Sequence, residues 1–273
     1  MRLVDSHAHL QAERFAGDAN AVLVEARAHG VERLLNPGWD LASSEAAIAL
    51  AREHDWVDAA VGIHPHAAGS VVEGTWARMA ELARDPVVVA VGETGLDYDR
   101  LFSSREAQLA GLRRHIELAL EVGKPLVLHC RSGRGERNAQ DDLIVELRRA
   151  GLDGRPWREP FPDRPPAVLH SFSGPVDYAA ASLELGLAVS ISGLCFRKQE
   201  EPTAEVARLV PEDRLLVETD SPYLPPPGAN RNRNEPRWVE VTALWVAERR
   251  EIHPDALGEQ LVTNYERIFR SSR

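Results

Sequence analysis

The chain has 273 residues, 44% hydrophobic and 27% charged, which is enough apolar mass for one large core. No run of about eighteen apolar residues occurs, so a transmembrane helix is excluded. With 32 basic and 42 acidic residues the net charge is −10, which argues against a broad basic surface for gripping long nucleic acid.

The first residues carry Asp5 and His7 where a secretory leader would have its apolar stretch, so a cytoplasmic protein is expected. Two cysteines, Cys130 and Cys195, are too few for a disulfide framework. The first strand-like run is Leu3–Asp5, followed by an amphipathic helical pattern at Asp18–His29. Arg33–Asn36 is the second strand, Ser43–His54 the next helix, and Val57–His64 and Val87–Glu93 are the third and fourth strands. A helix over Ser104–Val122 leads to strand Pro125–Cys130, and Asn138–Ala150 is again helical. Asp153–Pro166 has no period and is rich in Pro, Arg and Asp, so it reads as a loop excursion, expected near the mouth of the fold. The last strands are Ala167–Ser171, Leu187–Ser192 and Leu215–Asp220. A Pro-rich loop and two helices, Pro236–Arg250 and Pro254–Phe269, finish the chain, with prolines suited to helix starts.

Continuous apolar strands alternating with helices predict a parallel sheet covered on its outside. Eight units at this length predict a single (β/α)₈ TIM barrel spanning 1–273. The runner-up, an open doubly wound sheet, would want a glycine-rich first turn, where this chain has Ser6-His7-Ala8-His9.

The polar residues fall in a pattern. His7, His9, His64, His129 and His170 stand at or just past strand C-terminal ends, and Glu93 and Asp220 end two further strands. In a barrel of this class the C-terminal face carries the chemistry. His7 and His9 are i and i+2 on extended chain, so both point to one side. Asp5 points the same way and is expected to orient one ring; Glu218, one layer below Asp220, needs a buried partner. Cys130 follows His129 and so faces outward.

Imidazole with carboxylate and no thiolate suits zinc, manganese, cobalt or iron, with magnesium a further choice, and disfavours calcium. The donors exceed what one tetrahedral ion needs and fit two divalent ions with Glu93 as the bridge. A carboxylated lysine as the bridge is excluded, because the only lysines, Lys124 and Lys198, end neither the fourth nor the fifth strand. Arg131, Arg134, Arg137, Arg197, Lys198, Arg231 and Arg233 follow strands on the same face; single members can simply pair with nearby acids such as Glu136, Asp141 and Glu235, but the cluster as a whole favours phosphate recognition.

These residues lie in DSHAHL (5–10), GIHPH (62–66), GETGLDY (92–98), LHCR (128–131), HSFSG (170–174), ETDSPYLPP (218–226), RNEP (233–236) and NYERIF (264–269). Together they resemble the TatD-type metal-dependent hydrolases, a branch of the amidohydrolase-like barrels. The resemblance implies hydrolysis of phosphodiester bonds, typically as a deoxyribonuclease acting from strand ends on single-stranded or frayed DNA. It implies His7, His9, Glu93, His129, His170 and Asp220 as metal ligands, and His64 beside the metals against the substrate. Asp220 is the expected general base and Arg131 the expected phosphate clamp. Ser132-Gly133-Arg134-Gly135 departs from the family pattern. Competing readings are a small-molecule amidohydrolase or lactonase on the same barrel, and a non-catalytic metal-binding scaffold. No membrane contact and no obligate protein partner are expected; nucleic-acid ends or short oligonucleotides are the expected partner.

Overall fold

The computed structural model describes residues 1–152, 154–198 and 201–270. Its sheet has eight strands, all parallel, in sequential order. They are β1 (Leu3–Asp5), β2 (Val31–Pro37), β3 (Val57–Val61), β4 (Val88–Asp97), β5 (Leu126–Arg131), β6 (Ala167–Leu169), β7 (Ala188–Ile191) and β8 (Leu215–Val217). The ring closes where Ser6 N–H donates to Val217 O at 3.1 Å and Asp220 N–H donates to His7 O at 2.9 Å. The TIM barrel expected from the alternating pattern is the fold.

The outer layer is α1 (Ala19–Ala28), α2 (Leu41–Glu53), α3 (Thr75–Ala83), α4 (Arg105–Val122), α5 (Asn138–Arg149), α6 (Arg155–Arg158), α7 (Val176–Glu184), α8 (Pro202–Leu209), α9 (Val239–Arg250) and α10 (Pro254–Tyr265). Local chemistry sets the helix ends. Asp40 and Ser43 form a capping box on α2, Ser104 caps α4 through the Ala107 N–H, and Gly123 ends α4 with φ +64°. The β-strands are mostly apolar and buried, as a sheet covered by helices requires, with polar exceptions in β2, β4 and at the end of β5. Among the described residues no helix is long and apolar enough to cross a membrane.

Two of the motifs hold the fold rather than the chemistry. In NYERIF, Asn264 Nδ2 donates to Leu215 O and Glu212 O, and the buried Tyr265 hydroxyl donates to Asp58 at 3.1 Å. Arg270 pairs with the same Asp58 at 2.6 Å, so the chain end is locked to the base of β3. In RNEP, Asn234 Nδ2 bonds the carbonyls of Thr219, Tyr223 and Leu224, which fixes the loop after β8.

The 153–166 segment corrects an expectation. It is not wholly irregular, since α6 lies inside it, and it is not at the mouth. It connects the end of α5 to the start of β6, and it shares a cavity with Gly186, Asp213 and Arg214, which precede β7 and β8. Those positions are the N-terminal rim of the barrel, opposite the chemistry. Trp157 and Phe161 anchor it by stacking at 5.6 Å, both buried. Asp153 lies outside the described residues.

Candidate metal centre

Glu93 is the hub of the site, and β4 is built to deliver it. The β4–β5 register runs Val91↔Leu126 and then Thr94↔Leu128, so β4 carries one extra residue between these pairs. Such a bulge re-aims a side chain. Two glycines make it possible. Gly92 has φ +145°, and a Cβ there would lie 2.5 Å from Val127 O; Gly95 has φ +139°, and a Cβ would lie 1.9 Å from His129 O. No side chain fits either place, which explains the GETG sequence physically.

The two carboxylate oxygens of Glu93 face different imidazoles. Oε2 is 3.3 Å from His7 Nε2 and 3.5 Å from His9 Nε2. Oε1 is 2.8 Å from His170 Nε2, 3.0 Å from His129 Nδ1 and 3.3 Å from His64 Nε2. Asp220 Oδ1 closes the first group at 3.6 Å from His9 and 3.9 Å from His7. Asp220 takes φ +54°, a left-handed conformation that aspartate tolerates, at the turn leaving β8. All six expected ligands therefore meet on one face of the barrel.

The ring nitrogens fit cations. His7 Nε2 and His9 Nε2 stand 3.1 Å apart, as do His129 Nδ1 and His170 Nε2. Two donors each about 2.1 Å from one ion stand about 3.0–3.4 Å apart at octahedral to tetrahedral angles, so both spacings suit a shared ion. For His9 and His170 the far side of the ring decides which nitrogen is free. His9 Nδ1 is 3.1 Å from Pro37 O, a group that only accepts, so Nδ1 holds the proton and Nε2 offers its lone pair inward. His170 Nδ1 faces Glu218 Oε1 at 3.2 Å with the same result. His129 turns Nδ1 inward and places Nε2 3.4 Å from Asp97 Oδ2.

His64 behaves differently. Its Nδ1 accepts the His66 backbone N–H at 3.1 Å, so the proton of the neutral ring sits on Nε2. That nitrogen points at Glu93 as a donor, not as a lone pair. The tautomer suits a hydrogen bond to a carboxylate or substrate oxygen better than metal ligation.

Electrostatics divide the rings: against the lowering by burial, Glu93 and Glu218 hold His170 well above the ordinary imidazole range and Asp97 and Glu93 raise His129, whereas His7, His9 and His64 are lowered. Burial pushes His9 down to about 3 and His64 to about 4. His7 is lowered mainly by burial and by the neighbouring His170. His7 and His9 are thereby kept neutral, as ligands must be. Burial raises Asp220 well above the ordinary carboxylate range, and Glu93 and Glu218 add to the rise. Three carboxylates packed this closely call for positive charge, and divalent cations on the histidine pairs would supply it.

Some expectations need correction. Asp5 does not hold an imidazole. It accepts the Thr219 N–H at 2.9 Å, the Thr219 hydroxyl, and the His7 backbone N–H, so it fastens β1 to the strand-eight turn. Arg137 is bound to Asp141 and Asp177, and Arg233 to Asp18 and Glu235 while lying over Phe15, so neither belongs to a phosphate cluster. Arg131 does line the mouth, with its guanidinium 2.7 Å from Asp99. Ser132 of the departing segment accepts the Ala139 N–H at 2.9 Å near the start of α5. Cys130 and Cys195 are both free thiols. Burial pushes the Cys130 thiol up to about 12, so it stays protonated and is no ligand. Neither lysine reaches the site: Lys124 bonds the Ala83 and Asp85 carbonyls, and Lys198 is exposed beyond β7.

Sequence reading gave no role to Asp97 or His66. Asp97 is buried, accepts His66 Nε2 at 2.8 Å, and is steadied by the backbone N–H groups of Asp99 and Arg100. It backs His129 and His66 together. The centre opens into two cavities, of about 590 and 530 Å³, that share His129, Arg131, His170, Arg197 and Asp220.

A histidine–carboxylate cluster at the C-terminal rim of a (β/α)₈ barrel defines a metal-dependent hydrolase. Comparison with known proteins gives the branch. The family described as TatD related DNase matches residues 4–270. The uncharacterized metal-dependent hydrolase YabD of Bacillus subtilis is 32% identical over 268 residues, covering 98% of this chain and 99% of its own. The protein from Erwinia billingiae named 3'-5' ssDNA/RNA exonuclease TatD is 35% identical over 274 residues, again covering 98% and 99%. The crystal structure of YjjV, a TatD homologue from Escherichia coli K12, superposes with a TM-score of 0.84 at 28% identity over 98% of both chains. The chain belongs to the TatD-related DNase family.

Proposed function

We propose that the chain is a two-metal phosphodiesterase that removes nucleotides from the 3′ end of single-stranded DNA or RNA. One observation carries the two-metal reading: Glu93 Oε2 faces His7 and His9, while Oε1 faces His129 and His170 with His64 alongside. The polarity and the single-stranded substrate come from the relatives named 3'-5' ssDNA/RNA exonuclease. The free thiols Cys130 and Cys195 suit a reducing compartment, and we take the cytoplasm as the place of action.

His7, His9, Glu93, His129, His170 and Asp220 would hold the ions. When bound, two divalent ions supply Lewis acidity toward a phosphoryl oxygen and lower the pKa of a water. Asp220 takes the proton of the attacking water at a carboxylate oxygen as the new P–O bond forms. His64 Nε2–H donates to a phosphoryl oxygen. The P–O bond to the 3′ oxygen of the shortened strand breaks, and that oxygen leaves with a proton from solvent. Arg131, Arg197 and Arg231 line the approach and pair with phosphates. A duplex is too wide to put its backbone into such a mouth, so frayed or single-stranded ends are taken.

The test is a metal-supplemented assay on three substrates: bis-p-nitrophenyl phosphate, p-nitrophenyl acetate and a 5′-labelled single-stranded oligonucleotide with a 3′ hydroxyl. We expect a ladder shortening from the 3′ end, hydrolysis of the diester, and little on the acetate. Preference for the acetate would favour the lactonase or esterase reading. Cutting of a closed single-stranded circle at the linear rate would remove end-direction.

A further inference from the structure

Two aromatic side chains, Trp39 and Tyr223, line the mouth, and a third, Phe102, stands beside it against the His66 ring; none has a part in the bond-breaking step. Trp39 meets His9 with ring centroids 5.3 Å apart, and Tyr223 meets the same imidazole at 6.1 Å. Phe102, on the loop after β4, meets His66 at 4.8 Å and 89°. Phe102 is 68% exposed and Tyr223 48% exposed. A phenyl ring left largely in water, beside the site and on a loop, gives the fold little burial and is available to a ligand.

Cations are interleaved with these rings. Arg14 lies 5.4 Å over the Tyr223 ring. Arg100 precedes Phe102 by two residues and lines the same cavity as Trp39, Tyr223 and Arg231. Arg100 and Arg231 make no ion pair among the described residues. The second cavity is different in kind: Ser132, Gly133, Ser173 and Gly174 line it, and no Phe, Tyr or Trp does. His129, His170 and Asp220 line both cavities, while His9 and Glu93 line the aromatic one.

We infer that the aromatic arm, running from Tyr223 past Trp39 to Phe102, is a base-stacking platform for the strand that remains after each cut, with the polar arm receiving the departing nucleotide. The inference rests on the nuclease reading above and adds the direction of the strand across the centre. Stacking suits every base because every base has a π-face, while interleaved arginines meet the phosphates between bases. Bases stacked within a duplex have their faces covered by neighbouring pairs, so the platform itself selects single strands. At about 590 Å³ the polar arm has room for a departing mononucleotide.

The experiment compares Phe102→Ala, Phe102→Trp and the parent enzyme on two 5′-labelled strands of equal length. One strand carries all its bases, and the other has abasic sites at the few positions preceding its last nucleotide. The parent enzyme should prefer the based strand. In Phe102→Ala the ratio of kcat/KM on the two strands should fall by about 5- to 150-fold, the range of one lost base stack, and Phe102→Trp should restore it. An unchanged ratio in Phe102→Ala would overturn the platform, as would equal losses on both strands, which would make Phe102 a support for His66. If the parent enzyme cuts neither strand yet hydrolyses other substrates, the nuclease reading fails instead, and the two failures are told apart.

Discussion

Glu218 Oε1 lies 3.2 Å from His170 Nδ1, on the side of the ring away from Glu93, and the Glu218 side chain is fully buried. A metal-binding imidazole held by a carboxylate keeps its orientation and its tautomer. Glu218→Ala should therefore weaken metal affinity by about 10- to 100-fold although Glu218 is not among the proposed ligands. Glu218→Gln, which keeps an acceptor for the Nδ1 proton, should lose less. Titration with zinc or manganese under calorimetry measures both. Equal losses in the two variants would show that the charge, not the hydrogen bond, is what His170 needs.

Glu93 joins the two histidine pairs, so its loss should affect both. Glu93→Ala should reduce bound metal at both positions and take phosphodiesterase activity with it. Metal analysis after gel filtration is the readout. Two equivalents retained in Glu93→Ala would end the bridging role.

Asp220 borders the histidine pair and both cavities. With Asp220→Asn the oxygen that could ligate is kept while the basic site is lost. Most of the metal should stay, and kcat should fall by roughly 10²–10⁴, the usual worth of a general base. Near-parental turnover in this variant would assign proton removal to another group.

How far the site could be read in advance depended on where each residue's partners lie. The strand-end histidines were legible because a parallel barrel strand must end at the functional face, and the HxH spacing puts two rings on one side. Asp97 was not, because β4 was expected to stop at Glu93 and instead runs on to Asp97 past a bulge. A period of two cannot announce an inserted residue; the glycines at 92 and 95 were the available signal. The arginines divide for a similar reason. Arg137 and Arg233 follow strands, as Arg131 does, but each has one acid nearby in sequence, Asp141 and Glu235, and a second, Asp177 and Asp18, that only the fold brings near. The 153–166 segment was placed at the wrong end, although any helix-to-strand connection of such a barrel must lie at the N-terminal rim.

Gly95 gives a test of the bulge itself. A Cβ there would overlap the His129 carbonyl, and φ +139° is closed to alanine. Gly95→Ala should cost at least about 3 kcal/mol and lower the thermal midpoint by roughly 6 °C or more. Metal affinity should fall as well, since Glu93 and His129 both flank the distortion. A soluble Gly95→Ala protein with unchanged midpoint and metal affinity would mean that β4 reaches Glu93 by some other backbone path.

The Arg131–Asp99 pair sets up the last expectation. Both side chains are partly exposed, Arg131 by 45% and Asp99 by 31%, so the pair is worth little to stability and is open to exchange. A substrate phosphate competes with Asp99 for the same guanidinium. Removing the arginine and removing its competitor should then move binding in opposite directions. Arg131→Ala should raise KM for an oligonucleotide with metal content unchanged, and Asp99→Ala should lower it. Salt separates this from a loosened loop. Each phosphate contact on a single strand contributes about 0.7 to the slope of log K against log salt. The slope should therefore flatten by about that amount in Arg131→Ala and be kept in Asp99→Ala. If Asp99→Ala weakens binding as much as Arg131→Ala does, the pair acts as a unit that shapes the mouth, and Arg131 is not a clamp waiting for phosphate.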